Sequence, residues 1–254
     1  MTWDPEKYTE FSDHRLRPVL DLVGRIPLNA PRMIVDLGCG TGSSTKALKA
    51  RWPEAGFSGI DNSHEMLERA RTMHPDIDWR MADLNDWDAD APVDLLFSNA
   101  ALHWLPNHLE LFPKLFKNVA SDGVFAVQMP GNWEAPSHTS VTDTALDGPW
   151  RSRLEPLIGE RPTLTPGRYY DLLSPLARRM EMWETTYHQE LEGKNPVADF
   201  IKGTWLKPFL DALEEPQRSD FEQAYRSRIA AAYPKSANGK TLFPFRRLFI
   251  IATR

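Results

Sequence analysis

Residues Val35 to Gly42 read Val-Asp-Leu-Gly-Cys-Gly-Thr-Gly, and this segment decides the fold. The apolar run Met33-Ile34-Val35 leads into it and is typical of a buried strand, while Thr41 to Thr45 has the composition of a helix start. The three glycines permit a tight turn and let the backbone approach a ligand, and the helix N-terminus offers N–H groups and a partial positive charge. The segment therefore predicts a strand, a ligand-binding turn and a helix.

Short apolar runs alternate with helical patterns through the first half of the chain. The predicted strands are Met33–Leu37, Phe57–Ile60, Ile77–Met81, Val93–Ser98 and Gly123–Met129, and the helices between them are Ser44–Arg51, Ser63–His74 and Leu109–Val119. Two later runs, Met180–His188 and Arg247–Ala252, complete the set of strands. Alternation of this kind is typical of βαβ units, so we expect an α/β fold with a doubly wound, mostly parallel sheet.

The length of 254 residues suits one large core, and we expect a single domain over residues 1–254. The proline-rich stretch Gly131–Gly167 contains no convincing strand and is predicted to be an irregular insertion. Residues 131–175 and 189–243 are expected to form a helical cap above the carboxyl ends of the strands, where open α/β sheets bind ligands. Residues 5–25 are expected to form an N-terminal helical lid.

Charge and composition exclude several classes of function. The formal net charge is −5 and no long basic run occurs, which disfavours a nucleic-acid partner. No stretch approaches the ~18 apolar residues that a membrane span needs, and the first residues do not have the pattern of a signal peptide. Because the chain has one cysteine, Cys39, it cannot form an internal disulfide, and we expect a cytoplasmic protein.

Two acidic residues stand at predicted strand ends beyond the glycine segment. The glycine spacing G-x-G-x-G differs from the G-x-G-x-x-G that accommodates a pyrophosphate, and it suits a cofactor that carries a carboxylate. Asp61 ends the second strand, where its carboxylate could accept hydrogen bonds from both ribose hydroxyls of an adenosine, and Asp83 ends the third, where it could accept from an adenine amino group. Either residue could instead only cap a helix or turn, and Asn62 or Ser63 is the expected cap of the helix after Asp61.

These elements resemble the class I S-adenosyl-L-methionine-dependent methyltransferases. Further segments extend the resemblance, over essentially the whole chain, to the bacterial trans-aconitate 2-methyltransferase family; they are Trp3–Tyr8, Phe97–Pro106, Ala126–Trp133 and Arg247–Ile250. The resemblance implies a seven-stranded sheet whose last strand is antiparallel, and a reaction that makes a monomethyl ester of trans-aconitate and S-adenosylhomocysteine. It assigns to the cofactor Gly38, Gly40, Asp61, Asn62, Asp83, Leu84 and Asn99.

A tricarboxylate acceptor needs cationic and neutral donors, because burying its charges without partners is prohibitive. The candidate cations are Arg15, Arg17, Arg168, Arg246 and Arg247, and the candidate neutral donors are Tyr169, Tyr170, His138 and His103. We rank Arg247 and Tyr169 first, while the family pattern has proline at the position of Arg246. His103 and Trp104 follow the fourth strand and are expected to line the acceptor pocket. For each of these residues, a surface, ion-pair or core role is the alternative.

Several alternatives stay open from the sequence. The acceptor could be another small acid, a phenol or an amine, and the chain could also be a homologue that binds the cofactor without catalysis. A nicotinamide dehydrogenase is disfavoured by the glycine spacing. We expect no metal site, because the seven histidines are scattered without ligand spacing, and we expect a monomer or a small homo-oligomer.

Overall fold

A computed structural model describes residues 16–159 and 163–254, and a seven-stranded sheet organises them. The strands are β1 Met33–Leu37, β2 Gly56–Asp61, β3 Asp78–Met81, β4 Val93–Asn99, β5 Val119–Pro130, β6 Arg179–Leu191 and β7 Thr241–Thr253. Their order in the sheet is β3-β2-β1-β4-β5-β7-β6. The pairs among β1 to β5 are parallel, and β7 runs antiparallel to β5. The predicted doubly wound, mostly parallel sheet is confirmed.

Helices connect the strands and form much of the second half of the chain. They are α1 Arg17–Arg25, α2 Ser43–Arg51, α3 His64–Met73, α4 His108–Lys117, α5 Pro136–Leu146, α6 Arg151–Leu154, α7 Pro166–Leu173, α8 Pro196–Lys202, α9 Lys207–Asp211 and α10 Gln217–Ala232. Two short 3-10 helices cover Leu102–Trp104 and Glu155–Leu157. In the part of the chain that the structure describes, no helix combines the length and apolarity needed to cross a membrane.

The described residues form two compact units, where the sequence predicted a single domain. The first unit holds residues 16–130, 163–184 and 247–254, and the second holds residues 131–159 and 185–246. Each has its own apolar core. The first core includes Leu96, Phe112, Phe125 and Tyr169, and the second includes Trp150, Ile201, Phe221 and Phe243.

The first unit is built around strands that are buried on both faces. Val93–Asn99 and the second half of Val119–Pro130 are almost entirely buried, as is usual for central strands of a parallel sheet covered by helices. Helix α1 packs on α2 and β5 through a buried face that includes Leu20, Leu22 and Val23. Of the predicted lid, residues 5–15 lie outside the described residues.

The prediction that Gly131–Gly167 has irregular structure is wrong, because this segment contains α5, α6 and the start of α7. Helix α5 packs against α10 within the second unit and presents a buried face that is largely polar, including Ser137, His138, Ser140 and Thr144. The predicted cap segment, residues 131–175, includes α7. Helix α7 belongs to the first unit, where it packs against α4.

Candidate active site

The glycine turn after β1 is held against the end of β2 and the loop after β4. The backbone N–H groups of Gly38 and Cys39 donate to the carbonyl oxygen of Ile60 at 2.8 and 3.1 Å. Gly38 has a φ of +69°, and a Cβ there would stand 2.1 Å from the Cβ of Ala101 in the loop after β4. Glycine at this position is therefore required by both conformation and space.

Gly40 is the part of the turn that a ligand can approach. Its φ is +54°, and no heavy atom lies within 4 Å of the position that a Cβ would occupy. Gly42 precedes α2 with a φ of +83°, so the N-terminus of that helix begins directly after the turn. A partial positive charge and backbone N–H groups at this place suit a carboxylate.

Asp61 connects the glycine turn to the loop after β2. Its Oδ2 accepts from the Gly40 N–H at 2.9 Å, and its Oδ1 accepts from the Ser63 N–H at 2.9 Å. Ser63 itself caps α3, with its Oγ accepting from the Met66 N–H at 3.4 Å. Each oxygen of Asp61 keeps acceptor capacity, so the partly buried carboxylate can also receive two hydroxyl groups. Asn62, between these residues, is exposed.

Asp83 lies at the same edge of the sheet as Asp61, because the Ala82 N–H donates to the Asp61 carbonyl oxygen at 3.1 Å. Its side chain is exposed, and Oδ1 accepts from both the backbone and the side-chain nitrogen of Asn85 at 2.9 Å. The alternative role of a turn cap is therefore present in the structure. Leu84 is buried in the first core, directly behind this turn.

Asp36 is a buried carboxyl beneath the glycine turn that the sequence analysis did not single out as a site residue. Its Oδ2 accepts from the Ser44 and Thr45 hydroxyls, both at 2.7 Å, which fixes the first turn of α2. Burial raises the pKa of this carboxyl to about 6, against the lowering effect of the two hydroxyl donors. The single acidic residue within an otherwise apolar predicted strand was the sequence feature that could have identified Asp36.

Polar side chains meet where β4, β5 and β7 lie side by side. Asn99 ends β4 and pairs in register with Gln128 of β5, and Gln128 pairs with Phe249 of β7. Arg247, two residues before Phe249, donates from Nη1 to Gln128 Oε1 at 3.4 Å. Asn99 Oδ1 and Gln128 Nε2 are buried and have no hydrogen-bond partner among the described residues. Gln128 is another residue that the sequence analysis did not assign to the site.

The loop after β4 carries His103 and Trp104 on a single 3-10 turn. The preceding Ala100 has a φ of +52°, and its N–H donates to the Gln128 carbonyl oxygen at 2.9 Å, which ties the loop to β5. His103 is buried and its ring centroid lies 4.5 Å from that of Trp104, whose side chain is 56% exposed. One ring of this pair is therefore buried and the other is exposed, in the loop that follows Asn99.

Tyr169 is not supported as an acceptor-binding residue, because the structure places it in the first core. Its side chain is fully buried, and its hydroxyl lies 2.6 Å from His108 Nδ1 and accepts from the Leu164 N–H at 3.1 Å. The ring also packs 4.8 Å from that of Phe112. The Tyr169 hydroxyl therefore makes its hydrogen bonds inside the core.

The remaining predicted cations and donors are dispersed. Arg17, Arg168 and Tyr170 are exposed, and Arg15 lies outside the described residues. Arg246 belongs to the second unit, where its Nε donates to the Gly131 carbonyl oxygen at 2.9 Å and its backbone N–H donates to Asn132 Oδ1 at 2.6 Å. Both hydrogen bonds join Arg246 to residues 131 and 132 of the same unit.

The second unit contains a cavity of about 260 Å³ with aromatic walls. Trp133, His138 and Trp205 pack on one another with centroid distances of 5.1 to 5.9 Å, and all three line the cavity. Burial lowers the pKa of His138 to about 4, so the ring is neutral at pH 7. The indole nitrogens of both tryptophans are buried without a hydrogen-bond partner in the described part of the chain.

Comparison with known proteins extends over the whole chain. Residues 34–123 match the family model described as a methyltransferase domain. The chain is 44% identical to trans-aconitate 2-methyltransferase of Azoarcus sp. (strain BH72), over 100% of this chain and 99% of the relative, and 43% identical to that of Rhodopseudomonas palustris (strain BisB18), over 99% of each. Among solved structures, the YcgJ protein of Bacillus subtilis shares the fold with a TM-score of 0.59 at 13% identity, over 93% of this chain and 97% of that one.

In this chain the strand order switches direction between β1 and β4, and the glycine turn and Asp61 lie at the carboxyl ends of β1 and β2 beside that switch. The chain belongs to the trans-aconitate 2-methyltransferase family of S-adenosyl-L-methionine-dependent class I methyltransferases.

Proposed function

We propose that the protein transfers a methyl group from S-adenosyl-L-methionine to a carboxylate of trans-aconitate, giving a monomethyl ester. The observation that carries this proposal is identity above 40% along the full length of relatives named for that activity, which includes the acceptor-side segments as well as the methyltransferase domain. A likeness restricted to the glycine turn would support the donor alone.

The geometry of the first unit fits the donor. Gly40 leaves open space beside the backbone, Asp61 is oriented by two N–H groups, and Asn99 offers a buried oxygen without a partner among the described residues. In our proposal the carboxylate of Asp61 accepts from the ribose hydroxyls and Asp83, with Asn62 and Leu84, borders the adenine. Asn99 faces the methionyl portion.

The acceptor side needs cations and apolar walls, and it needs no general base. A carboxylic acid is ionised at pH 7, so its oxygen is already a nucleophile. S-adenosyl-L-methionine would supply the methyl group for this oxygen, and its sulfonium would become the uncharged thioether of S-adenosylhomocysteine. Arg247 would pair with acceptor carboxylates, and His103 and Trp104 would form the pocket wall that aligns the oxygen with the sulfur–methyl bond.

An acceptor panel tests the proposal. The purified protein is given labelled S-adenosyl-L-methionine with trans-aconitate, its cis isomer, citrate, a phenol or an amine, and both the methylated product and S-adenosylhomocysteine are measured. We expect a monomethyl ester of trans-aconitate and the highest kcat/KM for that acid. Turnover of another acceptor in place of trans-aconitate would contradict the acceptor assignment, and cofactor binding without turnover of any acceptor would favour a non-catalytic homologue.

The proposal also covers the cellular location, the oligomeric state and the partners of the protein. We expect the protein to act in the cytoplasm on a small anionic acid, as a monomer or small homo-oligomer and without a nucleic-acid partner. The support is the sequence, with its net charge of −5 and single cysteine. Cell fractionation and light scattering after size-exclusion chromatography would test the location and the oligomeric state.

A further inference from the structure

Gln128 is a fully buried amide at the edge of the sheet where ligands of this fold bind. Strand β5, which carries Gln128, is the direct neighbour of β4. The backbone carbonyl oxygen of Gln128 accepts from the backbone N–H of Ala100, in the loop that carries His103. Relative exposure of the residue is 0%. The parallel partner Asn99 ends its own strand, so Gln128 lies level with the carboxyl end of β4.

The orientation of this amide is fixed by its neighbour. A guanidinium group only donates hydrogen bonds, so the contact of Arg247 Nη1 at 3.4 Å identifies the Gln128 atom that receives it as the oxygen. The amide nitrogen must then point to a different place. Across residues 16–159 and 163–254, Gln128 Nε2 finds no acceptor.

The sheet brings Gln128 and Arg247 to the same face. Side chains alternate along a strand, and Val127, Met129 and Leu248 point into the first core. Gln128, Phe249 and Arg247 therefore share the opposite face, with Arg247 on the diagonal from Gln128. An amide N–H donor and a guanidinium thus stand side by side.

A buried donor without an acceptor destabilises a fold, and such groups are commonly retained for a function. The donors of an amide and a guanidinium together match the two oxygens of a carboxylate. We propose that Gln128 is an acceptor-binding residue: its Nε2 donates to a carboxylate of the acceptor, while its Oε1 holds the Arg247 guanidinium for the same group. This inference rests on the proposed function, because it names a residue of the same acceptor site.

Two substitutions separate donation to a ligand from simple orientation of Arg247. Gln128→Glu keeps an oxygen that accepts from Arg247 but replaces the N–H donor with a second oxygen and adds a negative charge. Gln128→Met removes both functions and keeps the length of the side chain. Gln189, which is also buried but lies on β6 in the second unit, gives the matched control Gln189→Met.

The measurements are KM and kcat for trans-aconitate and the Kd of S-adenosylhomocysteine by calorimetry. We expect Gln128→Met to raise the acceptor KM roughly 10-fold and Gln128→Glu to raise it roughly 100-fold, because the introduced side-chain carboxylate would repel the carboxylate of the acceptor. We expect kcat and the Kd of S-adenosylhomocysteine to change less than about threefold. The control should resemble the wild type in all three quantities.

Other results would overturn the inference. If Gln128→Glu matches the wild type while Gln128→Met is impaired, Gln128 only orients Arg247. If both variants weaken S-adenosylhomocysteine binding, Gln128 serves the donor, and if they change only the free energy of unfolding, its partner is a structural water. If the wild type methylates a different carboxylic acid, the proposed function fails and the same variants are tested with that acid. An acceptor without a carboxylate would remove the basis of the inference.

Discussion

The donor side and the acceptor side that we propose for the first unit differ in how their polar groups are satisfied. At the glycine turn, Gly40 and Ser63 donate to Asp61, and the hydroxyls of α2 donate to Asp36. At the end of β5, Gln128 Nε2 is buried and finds no partner within the described residues. The donor side is organised by the protein itself, whereas the acceptor side has hydrogen-bonding capacity for a ligand to use.

The contacts of the two sides also differ in sequence range. Asp61 reaches Gly40 across 21 positions, while Arg247 reaches Gln128 across 119. A donor site that depends on one βαβ unit can be recognised as a motif. The acceptor site depends on strands that meet only when the whole sheet has formed.

Gly38→Ala should have the largest effect, and it tests whether the donor side is as rigid as its contacts indicate. The new Cβ would meet Ala101 at 2.1 Å with a φ of +69°, so we expect a loss of about 3 kcal/mol or more in the free energy of unfolding and a much higher Kd for S-adenosylhomocysteine. Gly40→Ala is the matched control, because it has positive φ but open space, and should cost about 1 kcal/mol. Equal costs for the two variants would show that the contact with Ala101 relaxes easily. Urea unfolding and calorimetry provide both measurements.

Arg247→Met should act on the acceptor side alone. Loss of the guanidinium removes a charged partner for a carboxylate, and we expect an acceptor KM higher by on the order of 100-fold with nearly unchanged affinity for S-adenosylhomocysteine. Arg246→Met is the neighbouring control, since Arg246 contacts the Gly131 carbonyl oxygen. Steady-state kinetics with varied trans-aconitate measures the effect. A loss of cofactor binding in Arg247→Met would place this arginine on the donor side.

Tyr169→Phe tests the assignment of this residue to the core. Removal of the hydroxyl leaves His108 Nδ1 and the Leu164 N–H without their partner, so we expect a loss of about 1–2 kcal/mol in the free energy of unfolding. The acceptor KM should not change. A raised KM at unchanged stability would restore Tyr169 to the acceptor site.

Asp36→Asn should have the smallest effect, and its size should depend on pH. The pKa of Asp36 is raised from 3.8 to about 6 by burial, so the folded protein binds this proton more tightly than the unfolded chain. The resulting stabilisation of the wild type is complete below about pH 4 and is lost as the pH rises through about 6. Between pH 8 and pH 5 the wild type should therefore gain about 1 kcal/mol relative to the variant in urea unfolding. A difference that is constant with pH would mean that Asp36 is ionised in the fold at both values.

The comparison also explains which expectations from the sequence succeeded. The strands of the first unit were predicted within a few residues, because runs such as Met33–Leu37 are largely buried and consist mostly of apolar residues. Helix α5 was missed because much of its buried face consists of Ser137, His138, Ser140 and Thr144, which an apolar periodicity does not register. Tyr169 was assigned to the cap because no feature of the nearby sequence shows that the chain returns to the first unit before this residue.

The sequence by itself determined the class of fold, the glycine turn and the acidic residue at the end of β2. These features follow from the local rules of strand, turn and helix, and each needs only a few neighbouring residues. Only the tertiary structure decided that Tyr169 is a core residue, that Asp36 is a buried carboxyl of raised pKa, and that Gln128 lies beside Arg247. Burial and long-range pairing depend on how distant strands and helices pack, and that information is not contained in any single stretch of the chain.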